Sequence, residues 1–419
     1  MTVRLKVLIS AYACSPYQGS EPGVGWGFVA ALAKRHDLWV IVEEEKFRRD
    51  IERYLAENPE FSQSVRFQFL RKRRNRQLRK LWPPSYYWYY RRWHKEALTL
   101  AQTLHREVGF DLVHQLTMVG FREPGYLWNL GIPFVWGPVG GMGLFPWRFL
   151  PMMGSYGAFY YLGYNLYNYL QTRFSTRPRR AALAAGVGLI TATPENQIGA
   201  EKYWDCSSTL ISEVGLPPAA ALVPTRRQTG EPLRLVWTGL HIPRKALDLA
   251  LAALASLPEG TAWQLHVLGE GARTSRWRSQ AQALGLADRC HFHGWLARDK
   301  AMQVMASSHL MLITSLRDLT STVTVEALAL GLPIVCLDHC GFGGVVNGSC
   351  GIKVPVTTPH EVTEVLTAAI AKLAADEASR FELAKGAVLR ALDYSWEKKG
   401  EVVDGIYRRL LADRSVSTK

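Results

Sequence analysis

Apolar residues along this chain fall into short, unbroken, β-branched runs separated by longer stretches of helical spacing. Five runs come early: 3–10 (VRLKVLIS), 38–42 (LWVIV), 111–115 (DLVHQ), 133–136 (PFVW) and 188–193 (GLITAT). A second series follows at 233–239 (LRLVWTG), 263–269 (WQLHVLG), 309–314 (HLMLIT) and 333–338 (PIVCLD). Runs that are apolar throughout predict strands buried on both faces, and their alternation with helices predicts parallel sheets. Between the two series, residues 216–232 are rich in Pro, Ala and Thr and carry no periodicity, the composition of a linker. The pattern therefore predicts an α/β protein of two doubly wound, Rossmann-like domains. Their expected bounds are 1–215 and 233–393, with a final amphipathic helix and tail at 394–419 as a candidate to return to the first domain.

The totals agree with this outline. A chain of 419 residues exceeds one ordinary core, and an apolar fraction of 48% with 21% charged residues describes a folded, soluble protein. The net charge of +14 is concentrated: residues 61–95 contain no Asp or Glu. They do contain Arg73, Arg74, Arg76, Arg79, Arg91 and Arg92, interleaved with Trp82 and Trp88. Such a cluster attracts an anionic surface, of which phospholipid is the expected one; no nucleic-acid motif accompanies it. The stretch 149–172 is uncharged and aromatic. Pro151, Gly154, Gly157 and Gly163 argue against a spanning segment and favour an interfacial amphipathic helix, or one buried against the first sheet. Six cysteines without CxxC spacing predict neither a zinc site nor a disulfide framework. The first 13 residues read as a strand and not as a signal peptide, so a cytoplasmic location is expected, peripheral on the inner membrane face.

Candidate chemistry gathers at strand ends of the second series. DLTSTVTVE (318–326) follows the run 309–314 and enters a helix, with Ser321 or Thr320 as the natural N-cap. A helix start after a strand offers unpaired amides and a partial positive charge, suited to a diphosphate. Glu326 stands where a carboxylate can accept from a ribose diol, and Asp318 stands at the carboxyl end of the strand. WTGLHIPRK (237–245) places Arg244 and Lys245 at a helix mouth, where two cations oppose the macrodipole unless an anion binds between them. Glycine turns at Gly239 and Gly269 close the set.

These motifs resemble glycosyltransferase family 4. Asp318, seven residues, Glu326-Ala327, then Gly331-Leu332-Pro333-Ile334-Val335 is similar to that family's paired-acid signature, with Asp where Glu is usual. Gly239 to Lys245 is similar to its strand–glycine–lysine element, with Leu240 where Arg often stands. Residues 340–356 resemble its glycine-rich turn after the last donor-side strand. In the first domain, 19–41 resembles its first glycine loop and helix, 110–115 its histidine-bearing strand, and 136–141 a turn of a bacterial subgroup.

The resemblance implies the GT-B fold of two facing Rossmann-like domains and a nucleoside diphosphate sugar as co-substrate. It also implies transfer of a hexose-type sugar with retention of configuration, with no cofactor and no metal. In its terms Lys245 and Arg244 neutralise the diphosphate, the Thr322 and Val323 amides meet the phosphates and Glu326 holds the ribose. Asp318 orients the sugar, His114 faces the cleft as a catalytic residue, and Gly19 and Ser20 approach the same diphosphate. A lipid-linked saccharide, on the way to polysaccharide, is the expected acceptor. Two alternatives stand beside it: a GT-B sugar-nucleotide epimerase, and a non-catalytic sugar-nucleotide-binding paralogue.

Overall fold

The computed structural model describes residues 3–73, 85–217 and 223–417. The chain divides into two units. The first comprises Met1–Met142, Leu170–Pro217 and Ser395–Lys419; the second comprises Gly143–Tyr169 and Pro218–Tyr394. Residues 143–169, expected in the first domain, thus belong to the second unit.

The first unit is built on a parallel sheet of β1 (Lys6–Ala11), β2 (Asp37–Glu43), β3 (Val65–Leu70), β4 (Leu112–Thr117), β5 (Phe134–Val139), β6 (Leu189–Thr191) and β7 (Thr209–Leu210). Its order is β3-β2-β1-β4-β5-β6-β7. The second unit holds β8 (Leu233–Thr238), β9 (Trp263–Leu268), β10 (Cys290–Gly294), β11 (Leu310–Ile313), β12 (Ile334–Leu337) and β13 (Gly351–Val354). Their order is β10-β9-β8-β11-β12-β13. Each order reverses once, between β1 and β4 and between β8 and β11, and the loops leaving the strands at such a reversal are where open α/β sheets bind ligands.

Four strands lie outside the runs read from the sequence: β3, β7, β10 and β13. All four are sheet edges. An edge strand is covered incompletely, so its sequence need not be apolar throughout. Strand β13 also corrects the reading of 340–356 as a turn closing the donor-side sheet. That stretch forms a short helix, Cys340–Val345, and then a sixth strand.

The C-terminal helix Trp396–Ser417 packs into the first unit. Gly27, Gly215 and Gly400 make this possible. A Cβ on Gly27 would meet the Trp396 ring at 2.2 Å, one on Gly215 would meet it at 2.7 Å, and one on Gly400 would touch Ala31 Cβ at 3.0 Å. Val403, Ile406 and Tyr407 are completely buried. Burial of each apolar side chain contributes about 1.5–3 kcal/mol. Glu397 accepts from Lys34 at 2.5 Å and Arg35 at 2.6 Å, which ties this helix to the end of helix Ser20–Ala33.

Candidate functional site

The second unit assembles its polar cluster from three loops. After β8 the chain forms a 3₁₀ turn, Pro243–Lys245, and helix Leu247–Ala255 begins only after Ala246, in a left-handed conformation at φ 46°. Arg244 and Lys245 therefore precede the helix and do not crowd its first turn. The turn is held to the strand β11 exit by two bonds. Leu316 N donates to Arg244 O at 2.8 Å, and Thr314 Oγ1 donates to Lys245 O at 2.9 Å.

Both cations then meet Asp318. Lys245 Nζ lies 2.5 Å from Asp318 Oδ2, and Arg244 Nη1 lies 3.7 Å from Oδ1 while also donating to Arg317 O. The Lys245 and Asp318 side chains are only 12% and 19% exposed. The anion between the cations is the protein's own carboxylate.

The two glycine turns shape the floor of this cluster. The Lys245 side chain runs past Gly239, where a Cβ would lie 3.5–3.7 Å from its Cδ, Cε and Nζ. Gly269, at φ 108°, brings its α-carbon so close to Gly239 that a Cβ would stand 2.1 Å from Gly239 O. Only glycine fits there.

Helix Thr322–Ala329 supplies the third wall. Ser321 takes the N-cap position at φ 67°, but its side chain makes no capping hydrogen bond. The expected side-chain cap from Ser321 is thus replaced by a backbone turn, in which Thr324 N donates to Ser321 O at 3.0 Å. The amides of Thr322 and Val323 lie in the first turn, where helix N–H groups have no intrahelical acceptor. Glu326 is engaged by Arg298, whose Nη2 lies 2.5 Å from its Oε1; Arg298 is 70% exposed and Glu326 15%.

Three residues of this neighbourhood escaped sequence reasoning: Arg298, Arg317 and Tyr164. The Arg317 guanidinium sits 3.7 Å from the Tyr164 ring centroid, although 153 positions separate them. Neither spacing nor local composition signals a pair so distant in the chain.

The first unit places its expected residues less uniformly. Gly19 and Ser20 are exposed at the start of helix Ser20–Ala33, directly after the β1 loop, and nothing lies within 4 Å of where a Gly19 Cβ would stand. The next residue, Glu21, is half-buried and accepts from Val119 N at 2.5 Å. His114 corrects the expectation of a cleft-facing catalytic histidine. It is completely buried on central strand β4, with Nδ1 2.7 Å from Tyr407 Oη and Nε2 2.8 Å from Gly137 O. Burial pulls its pKa down to about 4, so it stays neutral and structural.

Of the expected basic-aromatic patch, Arg74, Arg76, Arg79 and Trp82 lie outside the described residues. Arg73 and Trp88 are exposed, whereas Arg91 is paired with Glu123 and Arg92 with Glu96, both at 3.1 Å.

The uncharged aromatic stretch forms helix Gly154–Phe174, and its polarity is inverted. Its amide side chains turn inward: Asn165 bonds to both N and O of Phe145 at 2.9 and 2.8 Å, and Asn168 donates to Gly143 O at 3.2 Å. Outward point Tyr156, Phe159, Leu162, Leu166, Tyr167 and Leu170, with Phe159 79% exposed. Arg148, Arg173, Arg179 and Arg180 are exposed before and after this face. No helix among the described residues is long and apolar enough to cross a membrane.

Similarity to known proteins agrees with this geometry. Residues 228–388 match the family described as Glycosyl transferases group 1, so the second unit carries a domain of that class. Lipopolysaccharide glucosyltransferase WaaG of Escherichia coli (strain K12) is 29% identical over 140 residues, 32% of this chain and 37% of its own length. The chain thus spans less than half the length of this curated relative. Among solved structures, the apo form of the lipopolysaccharide outer core galactosyltransferase WaaB matches with a TM-score of 0.60 and 12% identity, over 99% of this chain and all of its own. Anabaena Alr3699/HepE in complex with UDP matches with a TM-score of 0.55 and 14% identity, over 99% and 100%. The fold is that of GT-B glycosyltransferases, two Rossmann-like domains.

Proposed function

We propose that the protein transfers a hexose-type sugar from a nucleoside diphosphate sugar to an acceptor hydroxyl, with retention of configuration. The observation that carries this reading is the convergence of Arg244 and Lys245 on one carboxylate, beside the glycine turns and four residues before a helix start. Donor diphosphate displaces Asp318 from the cations and takes its place, with the Thr322 and Val323 amides as further donors. Glu326 accepts from the ribose, and the released Asp318 turns to hydroxyls of the sugar. As the bond from the anomeric carbon to the phosphate oxygen breaks, charge accumulates on the leaving diphosphate. Fixed cations and amides stabilise that charge without reorganising. The acceptor oxygen forms the new bond on the same face, and its proton passes to the departing phosphate. The cations supply the charge neutralisation that a metal would otherwise provide.

The proposed acceptor is a lipid-linked saccharide at an anionic membrane surface. This part rests on the outward apolar face of helix Gly154–Phe174 and its flanking arginines, the arrangement of an interfacial helix.

Incubation with a panel of nucleotide sugars and a membrane lipid extract tests the reaction. Free nucleotide with glycosylated lipid is expected; an altered sugar nucleotide would instead indicate epimerisation, and saturable binding without turnover a non-catalytic role. Lys245→Ala is expected to abolish donor binding, and unchanged affinity would refute the phosphate assignment. Flotation on vesicles containing anionic phospholipid is expected to recover the wild type. Recovery should fall at least tenfold in Phe159→Ser/Leu166→Ser, and equal recovery of both would refute the docking face.

A further inference from the structure

After β5 the chain leaves the first unit and gives residues 143–169 to the second before it returns. What this excursion meets there is the polar cluster. Its 3₁₀ segment Trp147–Met153 packs on the turn Pro243–Lys245, and Arg273 Nη2 donates to Met153 O at 3.4 Å. Helix Gly154–Phe174 then presents Tyr161 and Tyr164, which stand three residues apart and so share a face. The Arg317 guanidinium lies over the Tyr164 ring, 3.7 Å from its centroid. Tyr161 is buried and stacked on Phe145 at 4.2 Å. Burial pushes the Tyr161 hydroxyl up, while Arg244 and then Arg317 oppose the rise, so both guanidiniums lie near it.

Arg317 occupies a sensitive point in its loop. On one side Leu316 N donates to Arg244 O at 2.8 Å, and on the other Asp318 N donates to Cys340 Sγ at 3.1 Å. Between these anchors the Arg317 carbonyl accepts from Arg244 Nη1, and the next residue is the carboxylate held by Lys245. A rotation of the Arg317 backbone therefore moves the acceptor of Arg244 and the position of Asp318 together. The Arg317 side chain is fixed by the tyrosine face; among the described residues no carboxylate pairs with it. An aromatic face holds a cation without bringing in a second negative charge that would compete with a diphosphate for Arg244 and Lys245. The Tyr164 hydroxyl adds nothing to this hold. Its Oη is buried and, among the described residues, has no hydrogen-bond partner.

We infer that Tyr164 is a positioning residue of the donor site: its ring holds Arg317, and through Arg317 it sets Arg244 and Asp318 for the incoming diphosphate. This role rests on the donor-site reading proposed above. A loop already held in place meets a smaller ordering cost when the ligand binds. It also gives a reason for the excursion of residues 143–169 into the second unit, which supplies from a distant part of the chain a wall that the local loops lack.

The test is calorimetric titration of the full-length chain with uridine, guanosine and adenosine diphosphates. With the nucleotide that the wild type binds, Tyr164→Leu is expected to weaken affinity roughly three- to tenfold, the range of a partly desolvated cation–π contact. Tyr164→Phe, which keeps the ring face, should bind as the wild type does. The deciding comparison is Tyr164→Leu in an Arg317→Met background, where it should have no further effect. Lost packing alone would weaken both backgrounds alike, so equal weakening overturns the inference. Wild-type affinity in Tyr164→Leu, or a Tyr164→Phe as weak as Tyr164→Leu, overturns it too. If none of the three diphosphates binds the wild type, or Lys245→Ala binds as well as the wild type, the donor site itself is wrong and this role falls with it. If Lys245→Ala loses binding and Tyr164→Leu does not, the positioning role alone falls. Thermal melts verify that each variant folds, and Tyr164→Met takes the place of a Tyr164→Leu that does not, because its side chain adapts to irregular space.

Discussion

Asp318→Asn offers a sharp test of the donor site, because the proposed mechanism assigns this carboxylate two opposed effects. The substitution removes one negative charge and preserves shape. Asp318 occupies the anion position between Lys245, at 2.5 Å, and Arg244, at 3.7 Å. Two unit charges about 4 Å apart at an effective dielectric near 20 attract by about 4 kcal/mol, and desolvation of the pair offsets much of this. A charge-assisted hydrogen bond retains on the order of 1.5–3 kcal/mol net. An incoming diphosphate must overcome that attraction before it reaches the cations. Removing the competitor is expected to tighten binding of a nucleoside diphosphate alone by about 1–2 kcal/mol, roughly 5- to 30-fold. The same substitution should lower transfer at least tenfold, because the sugar loses its charged orienting acceptor and faces an amide that accepts through one oxygen only. Calorimetric titration of wild type, Asp318→Asn and Lys245→Ala with a panel of nucleoside diphosphates reads the first effect, and turnover of the matching sugar nucleotide reads the second. If Asp318→Asn binds the diphosphate as well as or more weakly than the wild type, the carboxylate is no stand-in for the ligand and the reasoning fails.

Gly269→Ala should destabilise the second unit by on the order of 2–4 kcal/mol, since its Cβ would meet Gly239 O at 2.1 Å with φ at 108°; a urea midpoint equal to that of the wild type would contradict this. Glu326→Ala is expected to weaken donor binding at least tenfold, whereas Arg298→Ala, which removes a 70%-exposed partner, should change stability by no more than about 1 kcal/mol. Calorimetry and urea denaturation separate the two. Acid should destabilise the protein through His114. Its folded-state pKa is about 4 against an ordinary 6.5, so the unfolded chain takes the proton first. Stability is complete above pH 6.5 and falls as pH drops from 6.5 to 4, by about 3 kcal/mol for this residue. His94, pulled down to about 3, adds in the same direction. Stability that is flat across that window by chemical denaturation would refute the buried, neutral assignment.

The central strands were legible in the sequence because a strand covered on both faces must be apolar throughout, as in Leu310–Ile313. The edges β3, β7, β10 and β13 were not, since half-covered strands tolerate arginine, histidine and lysine. In β10 that tolerance placed His291 and His293, which no apolar run announces. The glycine turns, the paired acids and the cations before a helix were also legible, because each is a short-range demand of backbone geometry or charge.

What the sequence determined by itself was therefore the local periodicities and the chemistry at each strand end, which are enough for the fold class and for the loops that form the polar cluster. The tertiary structure decided who meets whom. It turned Asp318 onto Lys245, set Arg298 on Glu326, and turned Asn165 and Asn168 of helix Gly154–Phe174 inward so that its tyrosines and leucines face outward. It also buried His114 against Tyr407, 293 residues away in the chain. The physical reason is range. Hydrophobic spacing and turn chemistry act over a few residues and are written in order along the chain. A partner for a buried polar group is selected only when packing brings distant segments together and leaves that group no water.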